Sequence, residues 1–198
     1  MYLMKVLFIL FGIVIVAFIS IQLFAINSQR NIETYSYTVN KKYEGFEIRH
    51  YQASLFTSVQ LSATTYKEAS SNGFSILAGY IFGGNKTNEK IAMTSPVSMS
   101  LDDTLTMMFL VPKKFTKENL PIPNQSEITF RAEPAKIMAA ISFGGWANDK
   151  KIEQYKKALK SALDGAGITY TNRFYFLGYN PPFEVFNRKN EIIVELTP

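Results

Sequence analysis

The chain has one histidine, His50, in the stretch YEGFEIRHY at residues 43–51. An imidazole can act as a metal ligand or as a general base near neutral pH. Acids that could work near a cavity rim are Glu44, Glu47, Glu184 and Glu191, though solvated strand edges carry such residues as well. No Ser-His-acid set is recognisable, and a metal centre needs more than one histidine unless carboxylates dominate it. Cysteine is absent, which excludes disulfides, thiolate nucleophiles and cysteine metal sites. No set of side chains specifies an enzyme. Alternation along the stretch puts His50 on the face of Phe46 and Ile48, where a partly buried residue at a core edge would stand. Met93, Met99, Met107, Met108 and Met138 read as core filling.

Composition locates the unit that must carry these residues. Apolar residues make up 47% of the 198, unevenly spread. Val6 to Ile26 contains no charge and is interrupted only by Gly12, Ser20 and Gln22. As a helix it would measure about 31 Å, against a hydrocarbon core of about 30 Å. A signal peptide is the rival reading, but the stretch is longer than a usual h-region and no clean small-x-small cleavage site follows. Residues 1–26 are therefore expected to be an uncleaved membrane anchor. Residues 27–42, rich in Asn, Ser, Thr and Lys, read as a linker, and 43–198 as the folded domain. Lys5 precedes the span and Arg30 follows it, partly offset by Glu33. This gives a slight preference for a cytoplasmic N-terminus and an exported, periplasmic domain. Beyond residue 26 the chain has 20 basic and 16 acidic residues. The lysines between Lys150 and Lys160 stand next to acids, as on a solvated helix face, and no nucleic-acid-reading motif accompanies them. Nothing in the sequence sets the oligomeric state.

The domain reads as a duplicated order of elements. Strand-like alternation over 43–51 and 53–62, a helix over 65–82 and strands over 90–101 and 104–112 form the first half. Strands over 127–133 and 135–143, a helix over 149–164 and strands over 170–180 and 190–196 form the second. Arg49, Ala53, Leu55 and Val59 are echoed 82 positions later by Arg131, Ala135, Ile137 and Ile141. Thr65 to Glu68 has capping-box spacing, and Gly83-Gly84 stops that helix. The second helix starts near Asn148-Asp149 and carries an apolar stripe of Ile152, Tyr155, Leu159 and Leu163. The expectation is an α+β fold, a pseudo-twofold strand–strand–helix–strand–strand duplication closing an antiparallel sheet around one core.

Three stretches, YEGFEIRHY, IAMTSPV (91–97) and GYNPPF (178–183), the last followed by NRKNE (187–191), resemble in order and spacing the SOUL/haem-binding protein family. The resemblance covers residues 43 to 198. It implies a distorted antiparallel β-barrel with two helices, an architecture shared with effector-binding domains of multidrug-responsive regulators. It also implies non-catalytic binding of haem or another tetrapyrrole on a shallow apolar patch beside the first helix and the loop between the last two strands. The corresponding positions are Phe74, Leu77 and Ala78 on the helix, with Val185 and Arg188 in the loop. Arg188, Lys189 or a helix lysine would pair with propionates. His50 matches a histidine proposed as axial iron ligand in one branch of the family, and imidazole is a common haem ligand. Family members often carry a basic or sulfur-containing residue on the helix face where this chain has Ser71 and Phe74. Two alternatives stand beside haem: a module for another apolar or cationic small molecule, and a hydrolase using a cavity glutamate. Pro96, which lacks a ladder donor, and the turn Tyr179 to Pro182 are read as structural.

Overall fold

The computed structural model describes residues 2–28, 32–63, 65–102 and 104–197. A long helix, α1 (Tyr2–Ser28), precedes β1 (Glu33–Thr34), β2 (Tyr37–Lys42), β3 (Glu47–Tyr51) and β4 (Ser54–Leu61). Then come α2 (Tyr66–Ile81), β5 (Thr94–Ser95), β6 (Val97–Ser100) and β7 (Leu105–Leu110). The second half is β8 (Thr129–Glu133), β9 (Lys136–Gly144), α3 (Asp149–Gly165), β10 (Tyr170–Gly178) and β11 (Lys189–Leu196). Both helices start on side-chain caps. Thr65 Oγ1 accepts the Glu68 amide at 3.3 Å, and Asn148 Oδ1 accepts the Lys151 amide at 2.9 Å. Asp149 Oδ1 also accepts the Tyr66 amide at 2.6 Å, which ties the two helix N-termini together.

Nine strands form one antiparallel sheet in the order β2-β3-β9-β11-β10-β6-β7-β4-β8. Chain connectivity forces it to curl. β3 and β4 are second and eighth in that order, so in a flat sheet they would lie about 29 Å apart. Only Gln52 and Ala53 join them, a reach of roughly 10 Å. β8 and β9 are joined as tightly by Pro134 and Ala135. Inside the curl, Tyr35 touches Tyr51 of β3 and Phe56 of β4, with ring centroids 4.6 Å and 5.2 Å apart. This inner face is a core of its own, including Met108, Met138, Tyr175 and Ile193. The other face packs under α2 and α3, where Leu77, Ile81, Leu159 and Leu163 meet Met99, Met107, Phe174 and Phe176.

The 82-residue echo reappears as register. Arg49 pairs with Met138, and 82 positions on, Arg131 pairs with Phe56; His50–Ile137 and Tyr51–Lys136 map likewise onto Ala132–Leu55 and Glu133–Ser54. Exchanging the halves also leaves the order from β3 to β8 unchanged when read backwards, with the β6–β10 pair at its centre.

Three expectations are modified. The fold is α+β, but the barrel is a curled half-barrel: among the described residues no ladder joins β2 to β8, so the sheet stays open. The tight β3–β4 and β8–β9 links bring strand ends together without aligning strand edges. Within the tether expected over 27–42, residues 33–42 are folded: β1 pairs with β5, β2 pairs with β3, and the buried Tyr35 between them fills the curl. Residues 29–31 of that tether, including Arg30 used for orientation, lie outside the described residues. The strand expected over 90–101 is broken at Pro96, whose bond to Ser95 is cis, leaving β5 and β6. Finally, over Met4–Phe24 the helix α1 presents nearly all its apolar side chains outward; this segment is long and apolar enough to cross a membrane, a property that signal sequences share.

Candidate ligand cavity

A cavity of about 930 Å³ opens between α2 and the β10–β11 loop. That size suits a small-molecule ligand. Its floor is sheet: Val97, Met99, Met107 and Phe176. One wall is α2 with its C-cap, through Tyr66, Phe74, Ala78 and Phe82. The opposite wall is Trp146, Tyr179, Pro181, Phe183 and Arg188. α2 can lie this close to the floor because residue 73 is glycine. A Cβ there would stand 2.8 Å from Leu61 Cδ1 and 3.0 Å from Met107 Cβ.

Among the described lining residues Arg188 is the one charged side chain. Its Nη1 donates to the Pro181 and Glu184 carbonyls at 2.9 Å and 2.6 Å, and its guanidinium carbon sits 3.9 Å from the Trp146 ring centroid. Its Nε is buried with no hydrogen-bond partner. Burial pushes the Arg188 pKa down, yet a guanidinium starts so high that it stays a cation. The lining is therefore largely aromatic and apolar, interrupted by uncharged polar groups such as Ser70, Ser71 and Ser75 on α2, with one positive group held in a fixed orientation.

The three sequence stretches converge behind this wall. Arg49 of β3 makes a bidentate pair with Glu191 of β11, at 2.9 Å and 3.0 Å. Both are buried, on the inner face of the curl. Glu191 also accepts from the Tyr179 hydroxyl at 2.6 Å and from Ser142 at 2.8 Å, with Lys189 Nζ 3.1 Å away. Burial pushes the Glu191 carboxyl up, but the Arg49 hydrogen bonds and charge, with help from Tyr179 and Lys189, outweigh it and hold it below the usual carboxylate range. Burial and the Glu191 charge push the Tyr179 phenol up, so it remains a protonated donor. Ser95 Oγ donates to the Tyr179 carbonyl at 3.3 Å, and Asn180 Oδ1 accepts the Lys189 amide at 2.7 Å. The Asn190 amide group donates to the Gly145 carbonyl at 2.8 Å, which fixes the turn carrying Trp146. The network's job is positional: it sets the cavity wall.

Of the residues singled out from sequence, Phe74, Ala78 and Arg188 line the cavity together. Leu77 is fully buried beneath them in the core. Val185 points outward, 43% exposed, and its amide donates to Gln22 at 3.0 Å. His50 is half-buried on β3 opposite Ile137 and is not part of the lining. Three strand positions separate β3 from β10, about 14 Å across the sheet. None of Glu44, Glu47, Glu184 and Glu191 lines the cavity either. Met99 and Met107 fill the helix–sheet core as read and, with Met93, also line the cavity, whereas Met108 and Met138 belong to the inner core. Sequence reasoning passed over Tyr66, Trp146, Phe176 and Tyr179. The available signal was Trp146, the chain's one tryptophan, two residues before a helix cap.

Comparison with known proteins agrees with this architecture. Heme-binding protein 1 of Xenopus laevis is 30% identical over 156 residues, covering 74% of this chain and 81% of that protein. Heme-binding protein 2 of Mus musculus is 27% identical over 156 residues, covering 74% and 76%. Among solved structures, the EcmrR C-terminal domain superposes with a TM-score of 0.61 at 12% identity, covering 81% of this chain and 98% of its own. A hydrolase from Listeria innocua gives a TM-score of 0.53 at 10% identity, covering 80% and 94%. Identities this low show a shared fold alone. The family model described as SOUL heme-binding protein matches residues 32–195, and the chain belongs to that family.

Proposed function

We propose that the domain binds haem or a closely related tetrapyrrole in the cavity between α2 and the β10–β11 loop, and that α1 holds it at a membrane. The carrying observation is the pairing of a cavity lined largely by aromatic and apolar side chains with a single cation among the described lining residues, Arg188. A porphyrin has the matching chemistry, an apolar disc with carboxylates on one edge. Tyr66, Phe74, Trp146 and Phe176 would cover the disc, and the Arg188 guanidinium would supply the positive charge for a propionate. Burying about 300 Å² of apolar macrocycle supplies roughly 7 kcal/mol before the costs of association. Iron supplies any redox or gas chemistry when it is bound; the residues described here bind, orient and exclude water. Binding through the walls leaves the His50 imidazole outside the site. A lipophilic cation, the cationic form of the second reading, would meet a positive charge and no carboxylate among the described lining residues.

Haem titration of the detergent-solubilised chain, followed at the Soret band, tests the proposal. Saturation at one haem per chain is expected, with metal-free protoporphyrin competing at similar affinity. Arg188→Ala should weaken binding about tenfold or more, the scale of a lost charge-assisted hydrogen bond. His50→Ala should weaken it less than about tenfold, since burial supplies most of the binding. Loss of binding in His50→Ala with normal binding in Arg188→Ala would refute the cavity and favour axial ligation on β3. Displacement of haem by a lipophilic cation but not by protoporphyrin would favour the second reading.

A further inference from the structure

Within the apolar run of α1, two polar side chains need partners. Ser20 bonds back to the Val16 carbonyl at 2.8 Å, inside the helix. Gln22 instead reaches the β10–β11 loop: its Nε2 donates to the Phe183 carbonyl and its Oε1 accepts the Val185 amide, both at 3.0 Å. One turn earlier on the same helix face, Phe18 packs edge-on against Phe186, with centroids 6.2 Å apart. Phe18 lies six residues, about 9 Å, inside the end of the spanning segment at Phe24. The loop tip is thus fastened alongside the apolar helix, not beyond its end.

The tip has the composition such a place requires. Its outward side chains are Phe183, Val185 and Phe186, 47%, 43% and 55% exposed. Its charged residues turn inward: Glu184 is buried and Arg188 is occupied with loop carbonyls. Two more exposed aromatics, Phe82 and Trp146, border the same cavity. Backbone and amide groups bonded to one another in this way are what an apolar medium demands.

We infer that the β10–β11 loop is seated in the lipid surface and that the cavity mouth faces the bilayer, so that an apolar ligand enters and leaves through lipid. This rests on the anchored reading of α1. The occupant of the apolar rim is phospholipid acyl chain, because the rim is continuous with the spanning helix.

The absence of cysteine permits a direct test on the full chain in phosphatidylcholine vesicles. A fluorophore is attached at Val185→Cys, where the native side chain is exposed and only the backbone amide bonds to Gln22. A control label goes at Ser161→Cys, about 20 Å along α3 from its cap at Asn148. Nitroxide-labelled lipid should quench the residue 185 label roughly threefold more than the control, as expected for a group at the acyl boundary. Gln22→Ala should diminish that difference while the chain still floats with the vesicles. The inference is overturned if the chain floats but the residue 185 label responds to aqueous iodide and not to lipid nitroxide. It is equally overturned if that label is shielded from both, the mark of a protein partner or a second copy. A chain that does not float refutes the anchored reading itself, a distinct failure.

Discussion

Replacing Arg49 by methionine would leave the Glu191 carboxylate buried with its main counter-charge gone. Removing one partner of a buried pair costs about 3–5 kcal/mol. Here Tyr179, Ser142 and Lys189 remain as donors, so the low end, about 3 kcal/mol, is expected. For a domain of this size that lowers Tm by roughly 6–12 °C, measured by circular dichroism of the sheet. The pH dependence separates a charge effect from lost packing. In the native protein Glu191 has a depressed pKa. It therefore adds stability above the ordinary carboxylate range, and this is lost as pH falls through the folded value. In the variant the same carboxyl is buried without its guanidinium, so its pKa rises and its ionised form destabilises at neutral pH. The gap between the two proteins should be wide at neutral pH and close on acidification. Adding Glu191→Leu should restore part of the loss, though the Tyr179 hydroxyl then lacks its acceptor at a cost of about 1–3 kcal/mol. Equal melting at neutral pH, a gap that widens with acid, or single losses that merely add in the double variant would refute the assignment.

Gly73→Ala should destabilise by about 1–3 kcal/mol in chemical denaturation, because the new methyl presses α2 off Leu61 and Met107. Leu77→Glu and Phe74→Glu, one turn face apart, should fail differently. The first places a charge at a fully buried position and should lower the melting temperature sharply, whereas the second, half-buried on the cavity wall against Phe109, should lower it less and lose haem in the Soret titration. If both melt alike and bind alike, the division between core and cavity is wrong.

Local rules carried much of this fold. Thr65 and Asn148 cap where side-chain chemistry says they should, and the Arg49-to-Arg131 offset survives as exact register. What sequence could not carry is order across the sheet. Alternation correctly puts His50 on one face of β3, but only tertiary pairing shows that β9 and β11 stand between it and β10. Leu77 and Phe74 are near neighbours on a helix, and only the packing of α2 on the sheet shows that Leu77 is fully buried in the core while Phe74 is half-buried on the cavity wall. The tether was misread over 33–42 because Tyr35 and Tyr37 sit among polar residues, and their burial comes from rings contributed by β3 and β4.

A half-barrel that stays open has two free edges, each a template on which another polypeptide could polymerise. β2 presents Lys41 and Lys42 and carries a register irregularity between Val39 and Lys41. β8 presents Arg131 and stops against Pro134, which cannot extend a ladder. The two rims are thus guarded by charge, a kink and a proline, and the sheet keeps two unpaired edges around a packed interior without inviting fibrillar growth.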